Sequence, residues 1–205
     1  MSIDLYTGLL LNQAASLTTS PEDADFFEFY TGLFDQVELA LATQGLRYQE
    51  PRDVAGLEAR YSRITQELIP FREAAEQLGQ LLGRDFRHIN DCSNYSTIFV
   101  PLWLPEPFYL EDTAVCSGLA LAAHCQTVAA ALGILDLADP FWAPLPGLDG
   151  AALAQELARV ETLLTAGPIL QLNEIQRELA AAGCEKIVAA CRFSLETGSS
   201  IVVSG

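Results

Sequence analysis

Thr97-Ile98-Phe99-Val100-Pro101-Leu102-Trp103 is the stretch that decides the fold class. Branched and aromatic side chains follow one another with no charged residue between them, which is how a buried strand reads. Pro101 cannot donate to a ladder, so it belongs at an edge or a bulge. Two further strands fit the same sheet. Ile3-Asp4-Leu5-Tyr6 alternates apolar and polar residues, and Ser200-Ile201-Val202-Val203-Ser204 is a short apolar run between serines. Strands near the start, middle and end pair only if the intervening chain folds back on itself. The reading is therefore an α+β fold, predominantly helical with a small, about three-stranded mixed sheet, in one globular domain over residues 1–205.

Helical periodicity fills the space between these strands. Ser20 reads as an N-cap with Pro21 at the first helical position and Asp23 at the capping-box position. Phe26, Phe29, Tyr30, Leu33, Val37 and Ala40 then recur at helical spacing up to Gly45. Leu57 to Leu82 repeats the pattern, with Pro70 as a kink or a divider and Gly83 as the stop. Glu50-Pro51-Arg52-Asp53 reads as a turn or linker, and the segment around Pro105, Glu106, Pro107, Glu111 and Asp112 as an exposed loop. Further helices are expected at about 117–132, at 151–165 capped by Asp149, at 169–182, and at 185–197 after an interruption at Gly183. Thr113 to Leu135 carries no Asp, Glu, Lys or Arg and is long enough to span a bilayer. It contains Ser117, His124, Gln126 and Thr127 and is flanked by Asp112 and Asp136 rather than by basic anchors, so a core helix is the better reading.

The charge is strongly one-sided. Net charge is −16, from 27 Asp and Glu against 11 Lys and Arg, and Lys186 is the sole lysine. Nucleic acid and anionic membrane are excluded as partners on this balance, because phosphate binding needs a basic footprint. The acids are also unevenly placed. Met1 to Leu46 and the span between Arg87 and Arg159 hold Asp and Glu but no Lys or Arg. If Asp23, Asp25 and Glu28 of the first stretch share a face with Glu106, Glu111 and Asp112 of the second, that face steers and binds a basic protein. The bland alternative is an acidic balance that only keeps the protein in solution.

Catalytic side chains are few. The densest polar cluster runs from His88 through Asn90, Asp91, Cys92, Ser93 and Asn94 to Tyr95. A His, an Asp and a Cys this close suggest base, orienter and nucleophile, with Tyr95 and the second histidine, His124, as further candidates. The competing reading is a polar turn whose Asn, Asp and Ser side chains bond their own backbone. His124 and Cys125 are adjacent on a helix and point about 100° apart, a poor arrangement for one metal. Cys184 and Cys191, seven apart, share a helix face and read as core. No spacing asks for a zinc site from His88, Cys92, Cys116 and His124, and phosphate-loop and nucleophile-elbow patterns are missing, so neither metal nor cofactor is expected. An odd cysteine count and an acidic N-terminus lead to the expectation of reduced thiols and a cytoplasmic protein.

Three stretches together carry a resemblance: Gly45-Leu46-Arg47 with Glu50-Pro51-Arg52-Asp53; His88 to Tyr95 with Val100-Pro101; and Arg192-Phe193-Ser194-Leu195-Glu196-Thr197-Gly198 before the last strand. The chain resembles an uncharacterised family of small acidic bacterial proteins with a domain of unknown function. In that family a turn rich in Asp precedes a strand ending in Val-Pro; here Asn94 stands where a second turn acid would be, and Cys116-Ser117-Gly118 where the family has small residues at a helix start. The resemblance implies a bacterial, cytoplasmic αβ domain and no established activity. The expected function is accordingly a non-enzymatic acidic protein-binding domain, an immunity-like inhibitor of a basic protein. The alternative is a small-ligand-binding or hydrolytic enzyme centred on His88, Asp91 and Cys92.

Overall fold

Six strands form one mixed sheet in the order β2-β1-β6-β3-β5-β4. The computed structural model describes residues 3–11, 21–90 and 96–204. The strands are β1 (Asp4–Thr7), β2 (Arg60–Arg63), β3 (Ser96–Val100), β4 (Phe108–Leu110), β5 (Thr113–Ser117) and β6 (Ile201–Ser204). Only β3 and β5 run parallel; every other pairing is antiparallel. The described helices are α1 (Pro21–Thr43), α2 (Thr65–Leu82), α3 (Arg87–Asn90), α4 (Gly118–Leu132), α5 (Gly150–Leu164) and α6 (Glu174–Thr197).

The pleat sorts the strand side chains into two cores. Ile98, Val100, Val115 and Val202 face α1, where Tyr30, Phe34, Val37 and Leu41 cover them. Phe99, Ala114, Cys116, Ile201 and Val203 point the other way, into a larger core built with α2, α4 and α6. Adjacent residues alternate between these cores, so a register slip of one residue would exchange them. α5 packs on α4, so α4 is buried on nearly every side, and only Ala123, His124 and Ala130 are more than marginally exposed.

The α+β class and the three central strands hold, but the sheet is twice the expected size. β2, read as the start of a helix, has the burial pattern of an edge strand, with no residue fully buried. β4 and β5 make a hairpin where an exposed loop was expected, turning through Glu111 at φ 50°. β5 buries all five residues, which is why its sequence merges with the apolar run of α4. That division leaves α4 with 15 residues, and among the described residues no helix is long and apolar enough to cross a membrane.

Two expected breaks are also continuous. α2 runs through Pro70, which is its sixth residue and buried. α6 starts later than expected, at a capping box of Asn173 and Gln176, and runs through Gly183. A Cβ on Gly183 would lie 3.1 Å from the Glu67 carbonyl oxygen and 3.3 Å from the Phe71 Cβ, so the missing side chain lets α6 press against α2. The caps at Asp149 and Gly83 form as expected, and Gly133 and Gly198 cap α4 and α6. The expected Ser20 cap lies outside the described residues.

Candidate functional site

The polar turn read as a catalytic candidate begins at α3, and α3 carries His88 into the interior, where it is 4% exposed. Its Nδ1 accepts a hydrogen bond from the Ser117 backbone N–H at 3.1 Å. The neutral ring therefore keeps its proton on Nε2. Ser117 is the last residue of β5 and the N-cap of α4. Its Oγ accepts from the Ala120 N–H at 3.0 Å and donates to the Leu102 carbonyl at 2.7 Å. A Cβ on the next residue, Gly118, would sit 2.9 Å from the Val100 carbonyl oxygen, so this junction packs backbone on backbone. His88 thus braces the strand-to-helix junction through the main chain, and the serine hydroxyl is committed to capping rather than to the imidazole.

His124 stands two turns along α4, with its ring 4.4 Å from Phe86 and 6.4 Å from His88 between centroids. Its Nδ1 is buried with no hydrogen-bond partner. Burial, with smaller contributions from the neighbouring His88 and Arg84, pushes its pKa down to about 3. The structure therefore brings His88 and His124 together as two imidazoles in an apolar corner beside Phe86. Asp91, Cys92 and Tyr95 lie outside the described residues. Among the described residues no three His, Cys, Asp or Glu side chains gather where a metal ion could be held.

Cys116 is on β5 and Cys125 on α4, and both reach the same core. Cys184 and Cys191 do share a buried face of α6, and the Cys184 thiol donates to the Cys125 carbonyl at 3.1 Å.

The acidic candidates lie on separate elements. Asp25 and Glu28 are exposed on α1. Glu106 pairs with Arg87 at 3.3 Å beside Asp85, which pairs with the same arginine at 2.6 Å. Glu111 and Asp112 form the β4–β5 turn. The side chain of Asp23 lies outside the described residues.

Sequence reading passed over three features. First, Glu50, taken as part of a linker, is 1% exposed. Its carboxylate accepts from the Ser200 N–H at 3.0 Å, from the Ser200 hydroxyl and from the Tyr48 hydroxyl. Burial raises the Glu50 pKa despite these donors and raises that of Tyr48 as well. Second, a cleft of about 500 Å³ opens between the β1–β2 edge, α6 and the segment around Phe141 and Trp142. Third, the solvent side of α1 has a glycine at its centre. At 100° per residue, Asp25, Glu28, Phe29, Gly32, Asp35, Gln36 and Leu39 fall within an arc of about 120°, and all seven are exposed. The mid-helix glycine was the one signal in the sequence that could have marked this face. Compared with known proteins, the chain matches no family model, and no curated protein or solved structure is significantly similar to it.

Proposed function

We propose that this protein is a non-enzymatic binding domain that holds a basic protein on the solvent face of α1, in the manner of an immunity protein. Gly32 carries the reading. Glycine inside a helix costs roughly 1 kcal/mol relative to alanine. The mid-helix glycines Gly79 and Gly183 each relieve a close contact, to the Arg84 and the Glu67 carbonyl oxygen. At Gly32 a Cβ would meet nothing within 4 Å. Among the described residues the cost has no return, which is what a surface shaped for another molecule's close approach looks like. Around this flat spot stand Phe29, 60% exposed, and Leu39, 68% exposed. Large apolar side chains encircled by charge are the usual anchors of a protein interface. Asp25 and Glu28 meet no cation among the described residues, Asp35 shares Arg52 at 2.6 Å, and α1 contains no basic residue. A basic surface complements such a face and gains both rate and specificity from it.

The test places a photo-crosslinking residue at Gln36 in the living source cell, with Gln155 on α5 as control. The expected result is one basic protein joined at Gln36 and not at Gln155. With that partner purified, Gly32→Trp abolishes binding, while Gly32→Ala weakens binding yet raises the stability of the free protein by about 1 kcal/mol. Undiminished binding by Gly32→Trp, or a captured partner that is acidic, refutes the proposal.

A further inference from the structure

Arg60 is the observation that the α1 face does not use. It lies at the edge of the sheet on β2, pointing to the side opposite α1, and lines both the 500 Å³ cleft and a neighbouring one of about 570 Å³. Its guanidinium lies over the ring of Phe193, with Cζ 4.1 Å from the ring centroid. Among the described residues the guanidinium makes no ion pair and no hydrogen bond. A guanidinium fixed by its face keeps its five N–H donors at its edge, where a carboxylate can take two of them in parallel. In a chain of net charge −16, an arginine with no acid partner among the described residues is an unusual element.

The rest of the cleft defines the body of the ligand. Leu5 contributes the floor, Ala190 the α6 wall, and Phe141 and Trp142 the opposite wall. The aromatic wall is held from behind. Arg192 donates to the Phe141 and Ala143 carbonyls at 2.7 and 2.5 Å, and Gln126 donates to the Trp142 carbonyl at 3.0 Å. Such bracing makes a preformed site, and the volume lies in the range of small-molecule pockets. The other cation in the cleft, Lys186, is already engaged by Glu67 at 2.6 Å and the Arg63 carbonyl at 2.7 Å. Asp139 and Glu185 also line the cleft, so a ligand with several negative charges is repelled.

We infer that this cleft binds a small amphipathic monocarboxylate, its carboxylate held edge-on by Arg60 and its apolar body lying against Leu5, Phe141 and Trp142. The inference is independent of the α1 face, which lies across the sheet.

The test uses tryptophan fluorescence in a Trp103→Phe background, leaving Trp142 as the sole reporter. The probes are 4-phenylbutyrate, its uncharged amide, and a phosphate monoester with the same phenylalkyl body. The expected result is saturable binding of the carboxylate, at least tenfold tighter than the amide. Arg60→Gln removes that preference and Arg60→Lys restores part of it, with thermal melts confirming that both variants fold. Equal affinity for carboxylate and amide, an unchanged Arg60→Gln, or tighter binding of the phosphate ester would each overturn the inference.

Discussion

Replacing His124 with phenylalanine should make the protein more resistant to acid, by an amount that follows from where the ring sits. In the fold the imidazole has a pKa of about 3, against an ordinary value of 6.5. The folded state therefore refuses a proton that the unfolded chain accepts. As pH falls below 6.5 the unfolded state gains protonation free energy and the folded state does not, until about pH 3. The stabilisation from the neutral, partly buried ring is complete above pH 6.5 and is lost on the way down. With each pKa unit worth about 1.4 kcal/mol, the loss reaches about 2 kcal/mol at pH 5 and is negligible at pH 7.5. Phenylalanine keeps the aromatic contact with Phe86 and cannot titrate. Urea unfolding of both proteins at pH 7.5 and 5.0 isolates the effect as the change in their difference, which cancels the carboxylates common to both. His124→Phe should gain about 2 kcal/mol on wild type between the two pH values. A gain below about 0.5 kcal/mol would refute the reasoning, because the ring would then be reached by solvent and protonated in the fold. An NMR titration gives a direct check: the His124 ring resonance should stay flat from pH 8 to 4. A ring with that behaviour lacks the titration near neutrality that acid–base catalysis uses.

Two further substitutions probe the packing behind the surfaces. Glu50→Gln keeps an acceptor for Ser200 and Tyr48 but removes the buried charge. Because burial raises the Glu50 pKa, the wild-type contribution is complete below the ordinary value of 4.5 and fades as pH rises through the folded value. Urea midpoints at pH 4, 6 and 8 should therefore shift progressively in favour of Glu50→Gln, and a constant difference would contradict the assignment. Gly183→Ala gains about 1 kcal/mol of helix propensity but forces apart two helices in contact, at about 1–3 kcal/mol. Chemical denaturation should show no gain or a net loss of up to about 2 kcal/mol, whereas a clear stabilisation would mean that α2 and α6 are not pressed together there.

Strands were legible where both faces are buried and the run is apolar, as at Ile98 to Val100 and Ile201 to Val203. They were illegible where burial leaves no pattern. β2 sits at the sheet edge with Tyr61 53% exposed, so its residues do not alternate; β4 has three residues, too few for a period to show. β5 is buried without exception and runs straight into a buried helix, and a continuous apolar run does not announce which element it forms. Pro70 and Gly183 misled because their usual meaning is local, whereas here the packing of α2 against α6 decides. The same limit governs the sites. His88 and His124 come together only because β5 lies beside β3, and Glu50 becomes buried only because Ser200 lies across the sheet. Gly32, by contrast, is visible in the sequence as a glycine in the middle of an expected helix.

The place of β6 has a consequence for synthesis. It lies at the centre of the sheet between β1 and β3, with Asp4 opposite Ser204. A ribosome adding roughly 5–20 residues per second reaches that partner some 10–40 s after β1 emerges. Until then β1 and β3 each present an open edge and neither core can close. From the emergence of β1 until Ile201 is made the nascent chain therefore exposes both cores to holding factors, and a message truncated just short of Ile201 would yield a product recognised as unfinished rather than a slightly smaller domain.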